Sequence, residues 1–444
     1  MSAATITETA PRAVVVQERT TPKGRRALYG AMFGFYADMY DIYLPVVALA
    51  PAMVFFLPNA SSAIDTALFA AAIFTASIIG RPLGSLIFGP LGDRIGRRRA
   101  TLIAAAGSAI CTGIMCVMPG YAQIGMTALV LLVVLRLLDG VFLGGEYTAA
   151  NPLAMEHAPK RLRGVFGSLI NMGFPLSLVS ITLLTMGTLA VFPQGDADSA
   201  YAVWGWRIPF VVGFILCTAL FITYWRAVPE SDLWASEKKA DNVYRRLVSR
   251  QNLPTLLLAC VTVMGLWFSM NGTIGVFTSH FRGLGVSTEQ VNATMLTAAC
   301  IAAVLFPVVG YLSQRLGRRT VIMAIGGLIT VVSAGGLAIA IANPSTLLMS
   351  LAAGAAIVCA FIIWATITAY LIELFPTSIR ATGYGVAYAL PSLVPAFYAN
   401  YMVSLGDVMP YAFTPVVIVA VGGILIVIGA FFAADRREAD LADI

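Results

Sequence analysis

The sequence predicts an all-α integral membrane protein, with twelve transmembrane helices in two pseudo-symmetric bundles of six. Three observations carry this. The 444 residues are 59% hydrophobic and only 11% charged, with a mean hydropathy of +0.85, whereas soluble domains carry about 25% charged residues. Twelve apolar runs are long enough to cross a bilayer, which takes about 20 residues. Two short motifs also occur twice, in the same order and at nearly the same spacing.

The elements follow in chain order. Residues 1–27 are polar, with no apolar core ahead of a small-residue cleavage site, so they read as a cytoplasmic tail and not as a signal peptide. Apolar runs near 28–56, 65–90, 100–119, 124–149, 164–190 and 206–226 make a first bundle, 28–226. The chain then turns polar over 227–253, "AVPESDLWASEKKADNVYRRLVSRQNL", the longest charged stretch and a cytoplasmic linker. Runs near 254–280, 289–312, 320–341, 346–374, 382–405 and 411–434 make a second bundle, 254–434, and 435–444 is a short tail.

Charge placement orients the chain. Of 28 Lys and Arg, 24 fall in the two tails and in the loops after helices 2, 4, 6, 8 and 10. This is the positive-inside pattern, and it places both termini in the cytoplasm of a multi-pass protein of the inner (plasma) membrane. The net charge of +6 needs no nucleic-acid partner to explain it. The six cysteines all fall inside apolar runs without a CxxC pair and read as packing residues. Two histidines are too few for a metal site. No HExxH and no His or Cys cluster supports an enzyme, so no catalytic residue, metal or cofactor is expected. A transporter-like sensor would need a soluble signalling domain, for which the short tails leave no room.

The repeats are specific. "GPLGDRIGRR" at 89–98 returns as "GYLSQRLGRR" at 310–319, an offset of 221. Glu156, Pro159 and Arg163 in "EHAPKRLRG" return as Glu373, Pro376 and Arg380 in "ELFPTSIRATG", an offset of 217. A duplicated six-helix unit explains both, and duplicated halves mark secondary transporters with a site near the midplane between them.

Charges within the apolar runs need their own reasons, since each costs about 2.5–3.5 kcal/mol at a bilayer centre on insertion scales. The first half carries Asp38, Asp41, Arg81, Arg136, Asp139 and Glu146, whereas the second has only Glu373, at a helix end. Asp38 and Asp41 lie about 60° apart on one helical face, shared with Gly34 and Pro45, and Arg136, Asp139 and Glu146 fall within an arc of about 80°. Such residues face a cavity and pair with one another.

Taken together, "RPLGSLIFGPLGDRIGRRR", "RLLDGVFLGGEY", "EHAPKRLRG", "PES" at 229–231 and "ELFPTSIRATG" resemble the motifs of the major facilitator superfamily. Within it, "DMYDIY", Arg81 in "GRPLG" and Glu146 in "GGEY" resemble the metabolite:proton symporters, with the sugar porters sharing several motifs. The resemblance implies a proton-coupled symporter importing a small organic anion, such as a mono- or dicarboxylate, by alternating access and as a monomer in the lipid bilayer. The alternative is a proton symporter of a neutral or zwitterionic solute, a sugar or a betaine-like compound. An exporter fits "PES" and "GGEY" less well.

By resemblance to the proton-coupled sugar porters, Asp41 is the proton-binding carboxylate and Arg136 its switchable partner, with Asp38 the next candidate. Burial favours a protonated carboxyl and a nearby guanidinium favours an ionised one, so a pair that forms and separates takes up and releases a proton. Arg81 is the candidate grip on a substrate carboxylate, because its planar fork matches that group. The amphipathic side chains of Trp267, Asn271, Trp364, Tyr384, Tyr388 and Asn400 are candidates to line the same cavity. A cytoplasmic gate is expected from Gly89, Asp93, Arg94, Arg97, Arg98, Glu146, Glu156, Arg163, Arg318, Arg319, Glu373 and Arg380. In it, Glu156 pairs with Arg97 or Arg98, and Glu373 with Arg318 or Arg319, while Asp93 caps a helix N-terminus. The second-half counterpart of Asp93 is Gln314, so this gate is asymmetric.

Overall fold

The computed structural model describes residues 20–57, 63–237 and 242–441, so most of the expected N-terminal tail lies outside the described residues. Among the described residues twelve long helical rods follow in order: α1 (Pro22–Phe56), α2 (Ala63–Ile95), α3 (Arg97–Cys116), α4 (Thr127–Glu156), α5 (Lys160–Val191), α6 (Tyr201–Arg226), α7 (Leu253–Gly283), α8 (Thr288–Leu316), α9 (Arg318–Ala342), α10 (Leu347–Leu374), α11 (380–406) and α12 (Tyr411–Phe432). Ten of them are long and apolar enough to cross a membrane; α2 and α11 are the other two. The first helix starts at Pro22, ahead of its apolar run, because Thr21 accepts a hydrogen bond from the Gly24 amide (3.1 Å) and proline suits the first helical position.

The two halves pack alike. Contacts of α1 with α6, α3 with α6, and α2 with α4 reappear as α7 with α12, α9 with α12, and α8 with α10. Between the halves, α2 lies along α11, and α5 along α8 and α10. Glycines set the closest approach. A methyl at Gly84 of α2 would lie 2.0 Å from the Val141 carbonyl oxygen of α4, and one at Gly144 of α4 would lie 2.3 Å from that of Arg81. Gly80 and Gly84 of α2 and Gly140 and Gly144 of α4 are GxxxG pairs, which let two backbones touch where lipid gives no hydrophobic drive for association.

The start of α1, the linker, the repeated loop motifs and Leu441 lie together at one end of the bundle, here called the basic end. The duplicated motifs meet there and join the halves. Asp93, at the end of α2, accepts hydrogen bonds from the amides of Ala381 (3.1 Å) and Thr382 (3.0 Å) and from the Thr382 hydroxyl (2.6 Å). Those amides open α11, so a carboxylate from one half caps a helix N-terminus of the other. The repeat supplies the mirror contact: Gln314, at the end of α8, accepts from the Gly164 amide near the start of α5 (3.1 Å).

Arg97 ties the first network together, reaching Asp93 (3.0 Å), Glu156 (2.7 Å) and the Thr377 carbonyl oxygen (2.9 Å). Glu156 also takes Arg380 across the halves (2.8 Å). In the second network Arg318 holds Glu373 (2.9 Å) and Gln314 (2.7 Å), but Arg163 donates instead to the Ala439 carbonyl oxygen (2.8 Å).

The linker and the C-terminal tail complete this end. Glu230 of the "PES" stretch accepts from the Arg97 and Arg98 amides (3.2 and 3.1 Å), capping α3, and the Ser231 hydroxyl donates to Glu156. Gly96 and Gly317, equivalent in the repeat, have φ of 113° and 108°. That region suits glycine, and an added methyl would also lie 2.4 Å from Glu230 at the first and 2.5 Å from Asp435 at the second. Leu441 accepts from Arg380 (2.8 Å) and Thr377 (3.0 Å) through its carbonyl oxygen. His157, just past α4, has its pKa lowered by burial, so it adds no charge there at neutral pH.

Two predictions follow from this packing. Asp93→Asn removes a charge-assisted cap worth about 1.5–3 kcal/mol. Maleimide labelling of a Ser378→Cys reporter, buried in this loop, should then rise about fivefold or more; unchanged labelling with normal expression would count against the clamp. Gly84→Ala should destabilise the bundle by roughly 1–3 kcal/mol through overpacking. Gly187→Ala, with no atom within 4 Å of the new methyl, should leave the unfolding temperature in detergent unchanged.

Candidate functional site

A small cavity lies between the halves. It is lined by Met39, Ile42 and Tyr43 of α1, Arg81 of α2, Phe174 of α5, Trp267 and Met270 of α7, Trp364 of α10 and Tyr388 of α11. Its second-half wall is aromatic. Trp267 and Trp364 meet edge-on with ring centroids 5.1 Å apart, Trp364 and Tyr388 lie 5.7 Å apart, and Phe174 packs 5.9 Å from Trp364. The first-half wall supplies the cation. Arg81 is 2% exposed, and none of its three guanidinium nitrogens has a hydrogen-bond partner among the described residues. Its guanidinium lies 5.9 Å from the Tyr147 ring centroid, within cation–π range.

The guanidinium of Arg136, also buried within the first bundle, is engaged. Arg136 pairs with Asp41 (2.6 Å) and Asp139 (3.0 Å). Thr112 donates to Asp41 (3.1 Å) and Ser108 to Asp139 (2.9 Å). The backbone takes part too. In an α-helix the amide of residue 45 would bond the carbonyl of Asp41, but residue 45 is proline and has no N–H. The Asp41 carbonyl instead takes the Leu44 amide and, at 3.4 Å, the Arg136 guanidinium. The helix widens into a π segment over Leu44–Leu49, and α7 does the same over Asn271–Gly275, a distortion frequent at functional sites.

Asp38 and Glu146 are also buried, and Asp38 Oδ2 and Glu146 Oε1 have no hydrogen-bond partner among the described residues. Glu146 also presses on α1, where a methyl at Gly34 would lie 2.3 Å from its Oε1. This corrects the expectation that Glu146 belongs to the gate. The apolar run suggests that α4 ends near 149, but the helix runs on to Glu156, and ten residues at 1.5 Å each put Glu146 about 15 Å inside.

Other expected residues are also redistributed. Trp267, Trp364 and Tyr388 line the cavity, whereas Asn271 and Tyr384 do not. Asn271 donates to the Pro395 carbonyl oxygen (2.9 Å), which bridges α7 to the irregular middle of α11. Asn400 is exposed. Tyr384 accepts from Asn151 of α4 (2.7 Å) and lies 3.5 Å from the Thr368 hydroxyl, and Thr368 donates to Asn171 of α5 (3.1 Å). Asn171 in turn donates to the Trp364 carbonyl oxygen (2.6 Å). This neutral network crosses between the halves one helical turn nearer the basic end than the cavity, and sequence reasoning missed Asn151, Asn171 and Thr368. The repeat held a signal, since Asn151 and Thr368 are related by the offset of 217.

At the basic end, Arg98 reaches the carbonyl oxygens of Tyr224 (3.1 Å) and Trp225 (2.6 Å) and not Glu156. Arg319 lies over the Phe431 ring (5.1 Å), and Glu373 is left to Arg318. Arg94 is exposed, and Gly89 packs on Thr382, 2.8 Å from where a methyl would sit to its Cα.

Comparison with known proteins agrees with this architecture. The family model for the Major Facilitator Superfamily matches residues 31–399. The chain is 29% identical over 406 residues to the inner membrane metabolite transport protein YhjE of Escherichia coli, covering 87% of this chain and 89% of that one. It is 28% identical over 406 residues to the shikimate transporter of the same organism, with coverage of 86% and 87%. Among solved structures it resembles the proton:xylose symporter XylE bound to 6-bromo-6-deoxy-D-glucose. The TM-score is 0.75 at 18% identity, covering 95% of this chain and 99% of that one. The chain belongs to the Major Facilitator Superfamily and is a multi-pass membrane transporter, not an enzyme.

Proposed function

We propose that this transporter is a proton-coupled symporter that imports a small organic anion by alternating access, working as a monomer with the basic end and both termini in the cytoplasm. One observation carries the choice of an anion: Arg81 lies at the cavity wall, 2% exposed and without a hydrogen-bond partner among the described residues. A buried guanidinium with no acceptor is costly, and a carboxylate that enters the cavity satisfies it bidentately. The aromatic wall opposite then packs the body of the anion. Similarity to a shikimate transporter favours the same class. The cytoplasmic assignment rests on the positive-inside rule.

In this reading the halves rock about the cavity. The Asp93 and Gln314 caps and the Arg97–Glu156–Arg380 cluster hold the cytoplasmic side shut. The Asn151–Tyr384–Thr368–Asn171 network seals the cavity one turn above them, and both layers separate when the site turns inward. Protonation of Asp41 releases Arg136, and its ionisation restores the pair.

Two outcomes test the reading. Arg81→Lys keeps the charge but loses the fork, so uptake of the best organic acid found by a thermal-shift screen should fall about tenfold or more. Wild-type affinity in Arg81→Lys would remove Arg81 from the site. Asp41→Asn should abolish accumulation driven by a pH gradient in proteoliposomes while leaving counterflow exchange in part. Each net charge moved across 100 mV is worth about 2.3 kcal/mol. One proton with a monoanion should therefore follow the pH gradient and ignore an imposed potassium-diffusion potential. Full accumulation by Asp41→Asn would overturn the Asp41 assignment.

A further inference from the structure

Arg81 is not alone at the cavity in lacking a hydrogen-bond partner. Two neutral donors on the same lining share that state among the described residues, the Tyr43 hydroxyl of α1 and the Trp364 indole N–H of α10. The two residues are 7% and 2% exposed. The other indole of the wall is satisfied within the protein, since Trp267 donates to the Tyr388 carbonyl oxygen at 3.2 Å.

A buried donor left without an acceptor is costly, and here three side chains with that cost line one space. A guanidinium and an indole N–H only donate, and a phenol donates or accepts. The lining therefore calls for acceptors on its occupant. Arg81 is also the one charged side chain among the described residues that line the cavity. It matches one carboxylate. A second carboxylate would be buried against neutral donors with no cation, which a site away from water disfavours. The ammonium of a zwitterion would find aromatic faces, but it would leave the Tyr43 and Trp364 donors unmet. A plain hydrocarbon acid would leave them unmet too.

We infer that the substrate is an oxygenated monocarboxylate: one carboxylate, held by Arg81, on a small body whose hydroxyl or keto oxygens accept from Trp364 and Tyr43. The inference rests on the anion reading above and narrows it. Arg81 supplies affinity for the anion, and the two neutral donors supply discrimination among anions. A site built to hydrogen-bond an oxygen strongly rejects the analogue that lacks it, because its own buried polar groups are then left unpaired. Trp364 belongs to the second half and Arg81 and Tyr43 to the first. An oxygenated anion is thus hydrogen-bonded from both halves, where a hydrocarbon acid would only be packed against the second.

The test is calorimetric binding to the purified full-length protein with matched acids. Lactate is set against propionate and malonate, 4-hydroxybenzoate against benzoate and terephthalate, and 4-hydroxycyclohexanecarboxylate against cyclohexanecarboxylate and cyclohexane-1,4-dicarboxylate. Trimethylglycine stands for the zwitterions. In at least one series the hydroxy acid should bind about tenfold or more tightly than its parent acid and its dicarboxylate. Trp364→Phe and Tyr43→Phe keep the rings and delete one donor each. A single hydroxyl meets one donor or both, so at least one of these variants should weaken the hydroxy acid about tenfold and leave the parent acid unchanged, which a merely structural role would not do. A panel in which no hydroxy acid binds, parent acids that bind as tightly in every series, or a preference that survives both variants would overturn the inference. Tightest binding of a dicarboxylate or of trimethylglycine would do the same. The two readings fail separately. If hydroxy and parent acids bind alike and Arg81→Lys weakens both, the anion reading stands and this inference falls. If Arg81→Lys binds every acid at wild-type affinity, the anion reading falls, and this inference with it.

Discussion

A full charge removed from water needs a partner, and the structure is organised by where its buried charges find theirs. At the basic end, Arg97, Asp93, Glu156 and Arg380 satisfy one another and, in doing so, join the halves. In the first bundle, Arg136 is held by Asp41 and Asp139 and fixes α4 against α1. Breaking such a pair costs about 3–5 kcal/mol, since it strands the other charge. Arg81 departs from this rule, and it does so at the cavity wall.

The duplication explains how one short motif builds both sides of the joint. A residue at the end of α2 or α8 caps the helix that opens α11 or α5, each time in the opposite half. The copies have diverged in charge. Asp93 brings a carboxylate with three bonds to α11, whereas Gln314 brings a neutral amide with one to α5. Arg380 bonds Glu156 across the halves, but Arg163 is turned to the C-terminal tail. Hydrogen bonds to a charged group are worth about twice neutral ones, so the α2–α11 contact is the stronger of the two locks. The linker and the tail reinforce it, through Glu230 at the start of α3 and Leu441 on Arg380.

The fold was readable in the sequence because hydrophobic length and repeated loop motifs are local signals. Helix ends were less so. Thr21 and Pro22 start α1 early by capping, and α4 carries on past its apolar run because Glu156 and its neighbours are buried by the other half. That error moved Glu146 to the wrong layer. Within the site, Asp41, Arg136 and Arg81 stood out because a charge in an apolar run has few innocent explanations. Met39, Ile42, Phe174 and Met270 line the cavity too, but as apolar residues on apolar helices they carry no mark in a single sequence. Asn271 and Tyr384 show the converse: a polar side chain in a membrane helix is as readily spent on a backbone carbonyl or on a bond between halves as on a ligand.

The division of labour across the cavity bears on how coupling could work. Arg81 and Arg136 and the carboxyl groups of Asp38, Asp41, Asp139 and Glu146 lie in the first half, whereas four of the nine cavity residues, Trp267, Met270, Trp364 and Tyr388, come from the second. Among the described residues, Glu373 is already bonded to Arg318 at the basic end. On the proposed reading, a proton arriving in the first half therefore changes no charge in the second. What can carry its effect across is the substrate, held by Arg81 on one side and packed by the aromatic wall on the other. A ligand shifts a conformational equilibrium only by its difference in affinity for the two states. An anion that bridges both walls has such a difference, because it loses one wall when the halves part. A proton alone has much less. Coupling then follows from geometry: the halves respond to the proton chiefly when the anion is there to connect them.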